Sequence, residues 1–264
     1  MPPIPTPPHW GRDNLSEFAT KAFSNEMATF VQETAWYSLL VSLDATLKEC
    51  AGQVMREVVV AQDEPIGRLL FLQAHSQYIA TARSAAAGHC AAVFPVGRAA
   101  VEAACYAWHI IADPSAAQRW QDKSQDRDAL RIWNREFSFG SICREIGEQH
   151  AGTATWARYI HQTAIDHGAH PNQHALFGNM VHVAREDGGL ELGMTYLHGW
   201  GLEFLNAAKF AVEVGMLVVR LFELALPLSA VPLQTAARLT QARTLLSALI
   251  EVARPMVEAE LRGP

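Results

Sequence analysis

Four polar side chains interrupt an otherwise apolar run between residues 94 and 112: Arg98, Glu102, Cys105 and His109. On a helix they stand at i, i+4, i+7 and i+11 and share one face, while Ala99, Val101, Ala103, Ala104, Ala107, Trp108, Ile110 and Ile111 spread around the others. A helix apolar nearly all round is a buried one, so this seam sets a guanidinium, a carboxylate, a thiol and an imidazole inside a core. Such groups can hold an anion and exchange a proton. Pro95 predicts a helix start, which puts Arg98 in the first turn against the positive end of the helix dipole. Arg before Glu is also the weaker order for an i,i+4 pair. Local helix energetics therefore do not account for Arg98, and the sequence predicts a partner from far along the chain. That partnership is either an internal ion pair fixing helix register or part of a site.

The densest group of titratable side chains is at 159–174, YIHQTAIDHGAHPNQH, with His161, Asp166, His167, His170 and His174. If one helix ends at Gly168 and another starts at Pro171, His170 and His174 face one way and His167 converges on them from the preceding helix. Three imidazoles and an acid could then serve a metal-dependent hydrolase. There is no H-E-x-x-H, and the intervening Gly and Pro leave the geometry open, so histidines of a surface turn are the plainer reading. The assignments are Arg98, Glu102 and His170 as catalytic residues and Tyr159, His167 and Asn172 as ligand contacts. No residue is assigned to a metal, and no cofactor is called for: there is no phosphate-cradling Gly motif and no G-x-S-x-G elbow.

The elements that must position these groups read as helices. Residues 2–8 carry five prolines, so 1–14 is expected to be an extended, mobile arm with no apolar signal-peptide core. Asn14 with Glu17 has capping-box spacing and opens a helical region without Gly or Pro until Gly52, either one helix or two joined near Ser24 and Asn25. Trp36, Leu39, Leu40, Leu43 and Leu47 recur at core-facing spacing. A helix over 67–87 has Leu69, Leu72 and Ile79 on its apolar side, and Gly88 ends or bends it. After the central helix, Asp113 caps a short one begun by Pro114, followed by helices presenting Trp133 and Phe137 and one around 142–149. Thr153 caps a helix through Trp156, Tyr159, Ile160 and Thr163 that Gly168 terminates. Residues 180–196 alternate around Asp187-Gly188-Gly189, a hairpin signal, and two long helices at 199–226 and 233–261 close the chain. Trp36, Trp108, Trp120, Trp133, Trp156 and Trp200 read as core rather than ligand platforms. The expected fold is mainly α: a multi-helix bundle with one small β-hairpin near 180–196, in a single domain over 15–264.

Composition narrows the function classes. A net charge of −6 over 264 residues argues against a main role in neutralising phosphate backbone, although a local basic groove for nucleic acid stays open. Four separated cysteines without a C-x-x-C read as buried thiols in a reducing compartment, which makes the chain cytoplasmic. The longest apolar stretch, 200–226, is broken by Glu203, Lys209, Glu213, Arg220 and Glu223, so no membrane span is expected there. A two-stranded hairpin is marginal alone and should lie on the helices or pair with a second copy.

The order of features resembles a family of bacterial all-helical proteins known only as a domain of unknown function. It rests on an Arg-x-x-x-Glu helix (Arg98, Glu102), an Asp-Pro helix start (Asp113, Pro114), a Tyr-bearing helix (Tyr159) and a His-Pro turn (His170, Pro171), within 68–176. Such proteins are distantly similar to HEPN-type bundles, and the resemblance implies a homodimer and, as an alternative, an RNA-cleaving or nucleotide-acting enzyme. The Arg-x(4–6)-His spacing of that class occurs at Arg144/His150, Arg83/His89 and Arg68/His75, but chance alone gives about two such pairs here. The leading expectation is a non-enzymatic binding or self-association module with an interhelical polar pocket for an unknown ligand or protein partner, in which the Arg98–Glu102 face neighbours the His167–His170 turn.

Overall fold

A computed structural model of the chain describes residues 6–60, 65–169, 173–185, 188–226, 232 and 234–262, with the backbone alone for 55, 57–60, 169, 174, 175 and 260–262. The helices are α1 (Asn14–Gln32), α2 (Thr34–Val60), α3 (Ile66–Ala86), α4 (Cys90–Ala112), α5 (Ser115–Gln121), α6 (Arg127–Glu136), α7 (Phe139–Gln149), α8 (Ala151–Ala164), α9 (Gln173–Phe177), α10 (Leu202–Ala225) and α11 (Thr235–Arg262). Between α9 and α10 lies one antiparallel hairpin, β1 (Met180–Ala184) and β2 (Leu190–Met194), with Val181 opposite Gly193 and Val183 opposite Glu191. The fold is mainly α with a small hairpin, as the periodicities imply.

The centre of the bundle is α4, which packs most extensively on α3 and α10. Its long apolar run makes it the one described helix long and apolar enough to cross a bilayer by length and composition, a property expected of the 200–226 stretch if of any. Here that apolarity is spent on neighbours: Val93, Phe94, Ala100, Val101, Ala104, Ala107, Trp108 and Ile110 are all buried. Small residues set the helix separations. A Cβ on Gly97 would fall 2.5 Å from Phe210, and one on Gly215 2.5 Å from Tyr78, so α4 and α3 approach α10 closely at glycine. The Tyr78 hydroxyl donates to the Leu40 carbonyl, 3.0 Å, tying α3 to α2. Trp36, Leu39, Leu40, Leu43 and Leu47 are buried in the same core.

Several local expectations shift. α4 begins at Cys90 and not at Pro95, because Gly88 (φ +74°) turns the chain out of α3 and the new helix starts two residues later. Pro95 then lies inside α4 and cannot donate to the Ala91 carbonyl; Gly168 comes in over that gap, where a Cβ would lie 3.3 Å from the carbonyl oxygen. Asp13, not Asn14, caps α1, accepting from the N–H groups of Leu15 and Ser16. The α1–α2 break falls at Glu33, since Asn25 does not cap but reaches across to the Ala87 carbonyl, 3.1 Å. His150, not Thr153, precedes α8. In α3 the buried face is Leu70, Phe71, Ala74, Tyr78 and Ala85, while Leu69 and Ile79 are exposed: both sides of this helix are apolar, and periodicity alone does not choose between them. Of the arm, residues 6–13 form turns against α1, with the Trp10 indole N–H donating to Thr20, 2.9 Å.

Gly88 offers a direct test of this frame. Its positive φ is joined by a crowded approach, for a Cβ there would sit 2.0 Å from the His198 carbonyl oxygen. Gly88→Ala is expected to cost about 2–3 kcal/mol in urea denaturation, from the strained φ and the displaced 197–199 segment. Gly140→Ala, at an exposed helical position with open space around it, should change stability by no more than about 1 kcal/mol, in the stabilising direction.

Candidate functional site

The polar seam of α4 is answered residue by residue by the helices that follow it. Arg98 Nε donates to Glu102 Oε1 at 2.7 Å along α4 itself. The same carboxylate oxygen is reached by His161 Nε2 of α8, 2.9 Å away, and the His161 ring stacks flat on Phe139 of α7, centroids 3.8 Å apart. One turn further, the Cys105 thiol neighbours that of Cys143 of α7, a pairing that with burial pushes Cys105 up and that with the Arg158 guanidinium holds Cys143 down. At the end of the face His109, 6% exposed, has Nδ1 2.7 Å from Glu145 and Nε2 3.5 Å from Glu136. Glu136 is held in turn by Arg119, which also pairs with Asp113, each at 2.7 Å. Asp113 accepts from the Ser115 N–H and hydroxyl at the start of α5, and these bonds, with Arg119, hold its carboxyl down to about 2.

Burial works against the ionised form of Glu102, but the bonds and charges of His161 and Arg98 outweigh it and hold the carboxyl below its ordinary range. The guanidinium and imidazole thus both spend a bond on one oxygen of one acid. Such an arrangement is an ion-pair clamp joining α4 to α8, and its chemistry is that of a fixed carboxylate, not of an exposed acid–base pair.

The predicted site residues fall in three places. Arg98 and Glu102 are together, with His161 as the distant partner. His167 stacks on Phe94, centroids 5.1 Å apart, one turn before Arg98 on α4, so the turn after α8 does lie against the seam. Tyr159, two residues before His161 and so roughly 200° around α8, is half exposed and accepts a 3.4 Å bond from Lys209, which pairs with Glu213 at 2.8 Å. His170 and Asn172 lie outside the described residues, as does the side chain of His174. Among the described residues no group of three or more His, Cys, Asp or Glu is placed to hold a metal ion. Of the Arg-x(4–6)-His pairs, Arg83 is bound to Glu26 and His89 meets Phe18 edge-on, while His75 is bound to Asp44. His161 was visible in the sequence only as one histidine of a cluster; Ala157, Ile160 and Ala164, at i−4, i−1 and i+3 from it, mark the buried side of α8 beside which it stands.

The clamp gives a pH dependence with a definite sign. Folded Glu102 holds its proton less tightly than the ordinary value of 4.5, so its contribution is complete above that value and is lost as the pH falls through the lower folded value. Glu102→Gln should therefore cost about 1 kcal/mol at neutral pH, modest because a third of the side chain is exposed, and the gap from the parent should close on acidification in denaturation curves. No family model, no curated protein and no solved structure matches this chain.

Proposed function

We propose that this chain is a self-associating helical module, with the α4 seam as its internal clamp and the outer face of α1 together with the hairpin as its homodimer surface. The observation that carries the reading is the inverted amphipathicity of α1. It is fastened to the bundle by polar atoms, Thr29 donating to the Ala86 carbonyl at 2.8 Å and Asn25 to the Ala87 carbonyl. Its apolar stripe of Phe23, Met27, Phe30 and Val31, at i, i+4, i+7 and i+8, points to solvent, with Phe23 61% and Val31 66% exposed.

The hairpin carries a second exposed apolar surface. Val183, Leu190, Leu192 and Met194 are exposed, and a groove of about 730 Å³ between the end of β2 and α1 is lined by Leu15, Phe18, Met194 and Tyr196. Side chains of this size, each with on the order of 80–100 Å² open to water, add up to roughly 800–1,000 Å², close to what one partner contributes to a stable interface. A second copy supplies a matching stripe in an isologous pairing and a hairpin that stabilises the first, since two strands alone are marginal.

A HEPN-like nucleolytic role is the second reading, favoured by the convergence of Arg98 and His161 on one acid. RNA cleavage by the purified chain that disappears in His161→Ala would favour it over a purely structural clamp.

Sedimentation velocity tests the self-association. The parent chain is expected to be dimeric at about 10 µM, and Phe23→Glu with Phe30→Glu monomeric with unchanged helical circular dichroism. A parent that stays monomeric up to about 200 µM would overturn the proposal.

A further inference from the structure

We propose that the outer edge of β1 is a strand-addition site for β1 of a second copy, giving a four-stranded antiparallel sheet about a two-fold axis at His182. This rests on the self-association reading and fixes where and in what register two copies join.

The ladder inside the hairpin determines which backbone groups are already spent. The Arg185 N–H donates to the Gly189 carbonyl, 2.8 Å, and the Thr195 N–H to the Asn179 carbonyl, 2.9 Å, so the odd-numbered residues of β1 bond to β2. Bonded and non-bonded pairs alternate in an antiparallel ladder, so Met180, His182 and Ala184 turn their N–H and C=O groups away from β2. Among the described residues no strand pairs with that edge, and residues 181–184 are exposed. An open edge is normally guarded by charge, proline or a bulge. β1 reads MVHVA, without Pro, Lys, Arg, Asp or Glu and with two β-branched valines, whereas β2 reads LELGM, where Glu191 and Gly193 disfavour pairing. The unguarded edge is that of β1.

The occupant this edge fits is a copy of itself. Its outward-facing residues are symmetric about His182, so in a two-fold pairing His182 meets His182 of the second copy and Met180 meets Ala184 twice, each as a hydrogen-bonded pair. Val181 then lies opposite Val183 of the second copy at the closer, non-bonded spacing of about 4.5 Å, which suits a β-branched pair. The sheet also becomes self-sufficient. Two strands alone are marginal, and stability begins at three or more with an apolar face, which Leu190, Leu192 and Met194 supply on one side.

Cysteine cross-linking reads the register. In His182→Cys the two like positions stand about 5.5 Å apart between Cα atoms, within disulfide reach, and diamide oxidation at about 10 µM is expected to give a covalent dimer on non-reducing electrophoresis. Val183→Cys sets like positions on a diagonal of roughly 7–8 Å and should not cross-link, nor should the parent, whose four cysteines are buried. His182→Lys, which opposes like charges across the axis, and Ala184→Pro, which removes an outward donor and leaves the β2 ladder intact, should each raise the dimer dissociation constant at least about tenfold in sedimentation velocity, with unchanged circular dichroism. The inference is overturned, with self-association left standing, if the parent dimerises but His182→Cys does not cross-link, if Val183→Cys cross-links in its place, or if both edge variants dimerise like the parent. A parent that stays monomeric up to about 200 µM overturns both readings.

Discussion

A polar group carried into a protein core must find a partner there, and α4 carries four of them along one face. The cost of leaving a buried carboxylate, imidazole or guanidinium unanswered is several times the net gain of any one hydrogen bond. The rest of the molecule can be understood as meeting that demand. α3 and α10 cover the apolar sides of α4, with glycine required at 97 where α4 meets α10 and at 215 where α10 meets α3, and the α6–α8 segment covers the polar side with His161 at Glu102, Cys143 at Cys105, and Glu145 and Glu136 at His109.

This division explains why the second half of the helical region is built of short pieces. α5 to α7 are seven, ten and eleven residues long, each begun by a capping side chain or an Asp-Pro step; α6 and α7 deliver Glu136, Cys143 and Glu145 to the seam, and α5 supplies Arg119, which holds Glu136. Asp113 links the end of α4 to α5 and, through Arg119 and Glu136, back to His109. α1 belongs to a different economy of contacts. It is held to the end of α3 by the bonds of Asn25 and Thr29 and by the Glu26–Arg83 ion pair, and it contributes no large side chain to the core, so its apolar stripe stays exposed.

Much of the helical frame was legible because period and punctuation are local: Leu39, Leu43 and Leu47, the Asp113-Pro114 step and the hairpin over 180–196 each announce themselves within a few residues. The common face of Arg98, Glu102, Cys105 and His109 was legible for the same reason. Its partners were not, since which of His161, His167 and His170 meets Glu102 depends on how far the helix before Gly168 runs and at what angle it crosses α4. The argument from Pro95 failed in an instructive way. Gly88 starts α4 earlier, which removes Arg98 from the first turn, so Glu102 on the same helix is a partner after all, and the distant His161 answers that acid. The stripe of Phe23, Met27, Phe30 and Val31 has the spacing of a core face, and no local signal shows that this face is the one left exposed.

The claim on which the account rests is that Glu102 and His161 couple α4 to α8. A double-mutant cycle with Glu102→Ala and His161→Ala, read by urea denaturation, measures that coupling directly. The account predicts an interaction energy of about 1 kcal/mol or more between the two sites. Additivity to within about 0.3 kcal/mol would contradict it, and would mean that the seam is not held by this pair.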